Sequence, residues 1–212
     1  HFDEFASETS GKLSAAQENS TIIKICRSIN EEIAQKQKVV IVLELMSVIL
    51  ADGAISEREQ TLALQICEGL NIATTDLELI KEYVLSKKRS DNHHEDILII
   101  DSTDAPTGTC RHIHREHLDG FIGILYLRST DTFFFKYVGH TDVYLNGVPQ
   151  KSGNINVLAT GSTMRWDGSD PIYYGDVLGL FKKLASGTRT SFEAKKISYQ
   201  FKNGRLGLRE VD

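Results

Sequence analysis

The sequence predicts an α+β protein whose helices and strands occupy different parts of the chain. Residues 20–89 repeat apolar side chains every three or four positions, which is the period of amphipathic helices. After the polar stretch 90–96, short apolar runs alternate with turn residues at intervals typical of a β-sandwich or barrel. A last hairpin pattern occupies 191–212. We therefore expect several domains: a four-helix bundle, an all-β sandwich and a short C-terminal hairpin.

These changes of pattern place the domain boundaries. We assign a polar lead-in to 1–19, the helical domain to 20–89, a linker to 90–96, the β-domain to 97–181, a second linker to 182–190 and the hairpin region to 191–212.

The composition restricts the classes of protein to which the chain can belong. It has 212 residues, 41% of them hydrophobic, and a formal net charge of −5. A negative net charge argues against a nucleic-acid partner. Three scattered cysteines, Cys26, Cys67 and Cys110, argue for a reducing compartment. The longest apolar run, 39–51, contains Glu44 and is shorter than the ~20 residues that span a bilayer, so we expect a soluble chain without a membrane span.

Cap residues predict where the helices begin and end. Ser56 and Glu59 have the spacing of a capping box, in which each side chain bonds the other residue's backbone N–H. Thr75 and Glu78 have the same spacing at the next helix. The apolar run 39–50 between the first helix and Ser56 predicts the central helix of the bundle.

The segment Ala51–Glu59 gives the helical region a family resemblance. It reads Ala-Asp-Gly-Ala-Ile-Ser-Glu-Arg-Glu after an apolar helix, and it resembles the signature of the tellurium-resistance-type (TerB-like) helical domain. The resemblance covers about residues 20–88 and implies a metal site formed by Asp52, Glu57 and Glu59. Turn and cap chemistry explains the same carboxylates without a metal. A Ca²⁺ ion would also need further oxygen ligands, for which Asp76 and Glu78 are the nearby carboxylates.

The middle of the β-region resembles the C-terminal part of a forkhead-associated (FHA) domain. The resemblance rests on Asp142–Pro149, which contains Asn146-Gly147, and on the segment 155–162 that follows. It implies an FHA-like β-sandwich. Family members bind phosphothreonine through a Gly-Arg loop and a Ser-x-x-His loop, and Arg128-Ser129 lacks the preceding glycine. A plain hairpin turn at Asn146-Gly147 is the alternative.

A cluster of sulfur and imidazole side chains follows in the same region. Cys110, His112, His114 and Glu116 would share one face of a strand, and this set suits zinc chemically. Neighbours along one straight strand diverge too far to enclose an ion, and the interleaved Arg111 and Arg115 make both faces polar. We interpret this strand, placed at 111–117, as a solvated edge.

The last segment resembles the opening strands of an ATP-binding cassette (ABC) nucleotide-binding domain. Two strand patterns, 192–201 and 206–211, flank the turn signal Asn203-Gly204. The resemblance implies that Phe201 stacks on adenine, with Tyr199 as the neighbouring candidate; half-buried strand aromatics are the alternative. No G-x-x-x-x-G-K-[ST] string occurs, so the chain is not expected to be an enzyme and needs no cofactor of its own.

The function expected from these resemblances is that of an accessory region in an ABC transporter ATP-binding subunit. Its partners would be the nucleotide-binding and membrane domains of that transporter and a docking protein. ATP and Mg²⁺ would serve the longer parent protein, which would hold this region at the cytoplasmic face of the inner membrane. The alternative is a free-standing module that binds a metal ion or a phosphopeptide.

Overall fold

The computed structural model describes residues 15–51, 53–106, 108–182 and 196–211. Its contacts group the chain into two compact units, His1–Phe181 and Lys182–Asp212. The first unit contains helices and two β-sheets, and the second contains a hairpin. The α+β class with four N-terminal helices, β-sheets and a short C-terminal hairpin is thereby confirmed.

Four helices come first among the described residues. They are α1 (Ala15–Glu32), α2 (Gln35–Ile49), α3 (Glu57–Gly69) and α4 (Thr74–Leu85), and a short 3₁₀ turn, Arg89–Asp91, follows α4. Helix α1 extends into the segment that the sequence predicted as a lead-in. The domain boundaries drawn from the sequence stay predictions, because the packing described below joins the helices and the β-region.

The cap chemistry was predicted correctly at α3 and wrongly at α4. Ser56 Oγ accepts from the Glu59 N–H, and Glu59 Oε2 accepts from the Ser56 N–H at 2.8 Å, which is the predicted capping box. Thr75 instead lies inside α4, which begins after Ala73 without a side-chain cap. The Ala73 carbonyl accepts from the N–H groups of Asp76 and Leu77, so the helix starts before the predicted cap.

Helix α2 is not the fully enclosed central helix that its sequence predicted. Val39, Val42, Leu43 and Met46 are buried. Val48, however, is 73% exposed, and Ile41 also reaches solvent. The helix therefore buries one face and presents apolar side chains on the other.

Two open sheets follow the helices. The first has the strand order β2-β1-β3-β4-β7 and the second has the order β6-β5-β8-β9. Their strands are β1 (Ile97–Asp101), β2 (Arg111–His114), β3 (Gly120–Leu127), β4 (Thr132–Gly139), β5 (Tyr144–Leu145), β6 (Val148–Pro149), β7 (Ile155–Val157), β8 (Thr163–Arg165) and β9 (Ile172–Tyr173). Strand β2 runs parallel to β1, and every other pairing in these sheets is antiparallel.

The five-stranded sheet is buried on both faces. Its helix-facing side includes Ile97, Leu125 and Phe134, which belong to the same core as Leu43 and Ile80 of the helices. Its other side packs in a second core with residues of the four-stranded sheet and of α5 (Tyr174–Phe181). Burial on both faces explains the continuous apolar runs in these strands. It also explains the aromatic triplet 133–135, which lies on the interior strand β4.

The C-terminal end of helix α4 contacts a side chain of the sheet as well as its own cap residue, Ser86, whose hydroxyl donates to the Tyr83 carbonyl at 3.0 Å. Lys136 lies at the centre of the helix-facing side and is 2% exposed. Its ammonium donates to the carbonyl of Tyr83 and, at 2.8 Å, to that of Ser86. In return the Tyr83 hydroxyl donates to the Gly123 carbonyl at 2.8 Å and to the Phe134 carbonyl at 3.2 Å. We call this arrangement of Lys136, Tyr83 and Ser86 the lysine clasp.

The turn at Asn146-Gly147 joins β5 to β6 as predicted. Asn146 has φ +54° and Gly147 has φ +80°, so both central residues are left-handed, as a type I′ hairpin turn requires. At the start of short helix α5, Asp176 accepts from the Tyr173 N–H at 2.9 Å.

The second unit is a two-stranded hairpin of β10 (Ile197–Gln200) and β11 (Leu206–Val211). In the described parts of both units, no helix has the length and apolar character needed to cross a membrane.

Gly120 is expected to tolerate no side chain. It has φ +99°, and a Cβ there would lie 2.0 Å from the Val138 carbonyl oxygen, which the paired strand holds in place. We predict that Gly120→Ala lowers the free energy of unfolding by about 3 kcal/mol or more in urea denaturation. Gly161→Ala is the matched control, because Gly161 has φ +84° and open space around it. It should cost only the ~1–2 kcal/mol of the left-handed backbone, and equal losses in the two variants would contradict the account.

Candidate functional site

The predicted stacking residues lie together on the hairpin. Tyr199 and Phe201 are 53% and 49% exposed, and their ring centroids are 5.1 Å apart in an edge-to-face arrangement. The contact between the two rings places them on the same side of the hairpin. Large aromatic side chains of this kind offer a flat surface on which a base can stack.

Gly207 leaves room for the two rings. The pairing places Tyr199 opposite Leu208 and Gln200 opposite Leu206, so Gly207 is the extra residue of a β-bulge. A Cβ at Gly207 would lie 2.7 Å from the Phe201 ring and 3.2 Å from the Tyr199 ring. The rings therefore occupy space that a larger residue at 207 would take.

The hairpin turn differs in detail from the two-residue turn that Asn203-Gly204 predicted. The Phe201 N–H donates to the Arg205 carbonyl, and the Gly204 N–H donates to the Phe201 carbonyl. Gly204 has φ +83°, whereas Asn203 is not left-handed. This is a three-residue loop with glycine in the left-handed position, a common hairpin alternative. Phe201 consequently lies at the start of the loop rather than within β10.

In the acidic segment at the start of α3, the Glu59 carboxylate is engaged in helix capping. Glu59 Oε2 accepts both the Ser56 N–H at 2.8 Å and the Ser56 hydroxyl at 2.7 Å. Glu57 is exposed in the first turn of α3, and Asp52 lies outside the described residues. Within the described parts of the chain, no group of three or more His, Cys, Asp or Glu side chains is arranged to hold a metal ion. The metal set of Asp52, Glu57 and Glu59 stays a prediction.

The histidines predicted to share a face of β2 do so, but each contacts a carboxylate. His112 Nε2 lies 2.9 Å from Asp101 Oδ1, and His114 Nδ1 lies 3.3 Å from Asp104 Oδ1. Strand β2 ends at His114, so the predicted strand 111–117 was too long and Glu116 falls outside it. As predicted, β2 is an edge strand.

Cys110, which precedes β2, has the character of a core residue. It is 5% exposed, and burial together with the charge of Glu82 raises the pKa of its thiol to about 11. A thiol with so high a pKa is protonated at neutral pH and is a poor nucleophile and metal ligand.

Asp101 is the centre of a buried polar network that the sequence did not reveal. Its carboxylate contacts Arg89 Nε at 2.7 Å on one oxygen, and His112 and the Thr103 hydroxyl on the other. Burial alone would raise the pKa of Asp101, but the hydrogen bonds from Thr103 and His112 and the charge of Arg89 lower it below its usual value. Through these contacts of Asp101, the turn after α4 is attached to the strands β1 and β2 of the sheet.

Arg128, the arginine considered for phosphate binding, is already paired. Its Nε lies 2.7 and 2.8 Å from the two carboxylate oxygens of Asp96. The adjacent Ser129 hydroxyl donates to Asp76 Oδ2 at 2.6 Å. Both side chains therefore join the β3–β4 turn to neighbouring elements.

The helices match a known family. Residues 10–82 match the family described as Tellurite resistance protein TerB. The chain contains a TerB domain. The match ends within α4, and a β-rich region follows it. The TerB resemblance seen in the Ala51–Glu59 segment is thus confirmed, and Gly53 in this segment makes a left-handed turn after α2, with φ +83°. No curated protein and no solved structure is significantly similar to the chain.

The residues that join the TerB domain to the β-region were missed by sequence reasoning. Lys136 lies in an apolar strand sequence, where a single lysine at an alternate position indicates a side chain that faces solvent. Tyr83 looks like one more apolar position on the buried face of a helix. Asp101 ends β1 and reads as a turn residue. One sequence signal was available: a charged residue inside a strand that is otherwise apolar on both faces indicates a buried polar contact.

The free energy of unfolding should depend on pH through Asp101. Because its pKa is lower in the folded protein than in the unfolded chain, its stabilisation is complete above the unfolded value of about 3.9 and is lost as pH falls below it. We predict that Asp101→Asn lowers the free energy of unfolding by about 2–4 kcal/mol at pH 7 and flattens the acid limb of the stability curve. Asp104→Asn is the control, since Asp104 is 99% exposed although it also faces a histidine. A loss of the same size in both variants, or an unchanged acid limb, would refute the prediction.

Proposed function

We propose that this chain is an accessory region of an ABC transporter ATP-binding subunit. In this proposal the TerB domain and an FHA-like β-domain act by protein–protein docking or sensing. The hairpin begins the nucleotide-binding domain, and the rest of that domain hydrolyses ATP with Mg²⁺. The transporter's nucleotide-binding and membrane domains are the partners, at the cytoplasmic face of the inner membrane.

The observation that carries the proposal is the pair of half-exposed rings on the hairpin. An isolated two-stranded hairpin is at best marginally stable in water, so a hairpin that exposes Tyr199, Phe201 and Leu206 fits a place inside a larger domain. Phe201 stands at the position that the resemblance assigns to the adenine-stacking aromatic, and its ring occupies the space that a larger residue at 207 would take.

The docking part of the proposal is supported by apolar surface on the helices. Ile23, Ile25 and Val48 are between 54% and 73% exposed. Isolated exposed apolar residues are normal on a protein surface, and these three large β-branched side chains of α1 and α2 are available for contact with another protein. The β-region adds the type I′ turn at Asn146-Gly147 to two sheets that share one core, as an FHA-like domain would.

We expect the native gene product to be much larger than the 23.7 kDa of this chain. Its sequence should continue past Asp212 into G-x-x-x-x-G-K-[ST] within about 20 residues, since that loop follows the opening strands. Sequencing of the gene and the mass of the native protein test this directly. A native protein that ends at Asp212 would overturn the proposal.

In that longer protein, Phe201→Ala should weaken ATP binding about tenfold, because loss of one stacking ring costs ~1–3 kcal/mol. Phe201→Tyr should restore the affinity. Leu206→Ala is the matched control, because Leu206 is 54% exposed on the same hairpin but pairs with Gln200 and so projects from the opposite face. Titration with a fluorescent ATP analogue measures all three variants. Equal affinities in Phe201→Ala and the unmodified protein would remove Phe201 from the nucleotide site.

A further inference from the structure

Strand β7 forms an open edge of the five-stranded sheet. The Leu158 N–H donates to the Phe133 carbonyl of β4 at 2.8 Å. Hydrogen-bonded positions alternate along an antiparallel pair, so Asn156 also bonds β4, whereas the N–H and C=O groups of Ile155 and Val157 point away from it. In the described part of the chain β7 is the last strand of its sheet, so these four backbone groups face an edge without a partner strand.

Helix α2 and the end of β7 form a groove at this edge. A cavity of about 310 Å³ lies between Lys36 and Val40 of α2 and the segment 157–160. Ile155 packs against the core shared with the helices, and Val157, two residues further on, projects from the same side of the sheet. Val157 is 42% exposed and Val40 is half-buried. An apolar side chain of an added strand on this side would therefore contact both valines.

The charged groups near the two ends of β7 are lysines. Lys36 is exposed and lines the cavity at the end of the strand, and Lys151 is exposed in the turn before its start. Asp131 also lines the cavity, but its carboxylate accepts from the Tyr126 hydroxyl at 3.0 Å. The two lysines would attract carboxylates at the two ends of an added strand.

The same charges disfavour a second copy of this chain as the added strand. In an antiparallel pairing of two β7 edges, the end of one strand lies opposite the start of the other. Lys36 of one copy would then approach Lys151 of the other, and like charges across a strand pair are destabilising.

The opposite edge of the sheet, at β2, is partly closed. The Arg115 N–H donates to the Asp101 carbonyl of β1 at 2.8 Å, so the backbone of the preceding His114 points to the open side. There the Arg115 guanidinium donates to the His114 carbonyl at 2.9 Å. The β7 edge is thus the better template for an added strand.

We propose that the β7 edge and the groove beside α2 are a docking site for an extended acidic peptide, which adds to the sheet as a sixth strand antiparallel to β7. The peptide bonds the backbone of Ile155 and Val157, places apolar side chains in the groove, and pairs flanking carboxylates with Lys36 and Lys151. An antiparallel pairing is the more stable one per residue. This surface deepens the docking part of the proposed function, and it does not require that the chain belong to a transporter.

The test is an NMR titration of the ¹⁵N-labelled chain with the capped peptide acetyl-Glu-Val-Thr-Val-Glu-amide. Its valines would lie opposite Ile155 and Val157, and its glutamates would lie at the lysine ends. The amide resonances of Ile155 and Val157 should shift as the peptide is added. The amides of His112 and His114 on the β2 edge are the internal control and should not shift.

Matched peptides separate strand addition from adhesion. In the antiparallel register the valine N–H groups point to β7 and the threonine N–H points to solvent. N-methylation of either valine should therefore weaken binding about tenfold or more, since the facing carbonyl loses its donor. N-methylation of the threonine should leave the affinity unchanged. The peptide acetyl-Lys-Val-Thr-Val-Lys-amide should bind more weakly than the glutamate peptide.

A charge exchange tests the role of α2. Lys36→Glu should weaken the glutamate peptide and strengthen the lysine peptide, because it reverses the charge at the groove. Lys24→Glu is the control, since Lys24 is exposed on α1, away from the groove, and both affinities should stay as they are.

Four results would overturn the proposal. They are unshifted β7 amides at millimolar peptide, equal shifts on the β2 edge, equal affinities of the peptides methylated at valine and at threonine, and a dimer joined through β7 in the free protein. Any of these removes the docking site and leaves the nucleotide role of the hairpin, which Phe201→Ala tests, unaffected.

Discussion

The burial of one amine in an apolar interface is the constraint on which the rest of the structure depends. A lysine cannot lie inside a core unless its N–H groups find acceptors, and the carbonyls at the end of a helix lack partners within the helix. The amine of Lys136 donates to carbonyls at the end of α4, so the lysine N–H groups and the helix carbonyls satisfy each other, although 50 residues separate Lys136 from Ser86. Because the hydroxyl of Tyr83 returns to the backbone of the sheet, α4 is held to the sheet from both sides.

The hydrogen bonds of the lysine clasp determine how the TerB domain packs on the sheet. With α4 fixed, the short segment that leads to β1 is held by Asp91, which accepts from the N–H groups of Lys87 and Lys88, and by the pair of Arg89 and Asp101. The helices then form one layer, the five-stranded sheet a second, and the four-stranded sheet a third. The helices of the TerB domain and the five-stranded sheet therefore share one core.

Local chemistry explains which features could be predicted from the sequence. The capping box at Ser56 and the hairpin turn at Asn146-Gly147 each depend on neighbours within a few residues, and the sequence indicated both. The hydrogen bonds of Lys136 and the polar network around Asp101 join residues far apart in sequence, and no local sequence pattern indicates these contacts. At the hairpin, the sequence predicted Tyr199 and Phe201 as the aromatic pair, but it could not show that Gly207 forms a bulge beside their rings. Nor could it decide between a two-residue and a three-residue turn at Asn203-Gly204, because both place glycine in a left-handed conformation.

The claim that the helical layer and the sheets form one cooperative unit can be tested with two probes of a single unfolding experiment. Trp166 is the only tryptophan in the sequence and is 4% exposed in the core between the two sheets, so its fluorescence reports on the β-region. Far-UV circular dichroism at the helical minimum reports on the helices. If the lysine clasp and the shared core join the two, both signals change at the same urea concentration. Two separate transitions would show that the helices and the β-region unfold independently and would contradict the account.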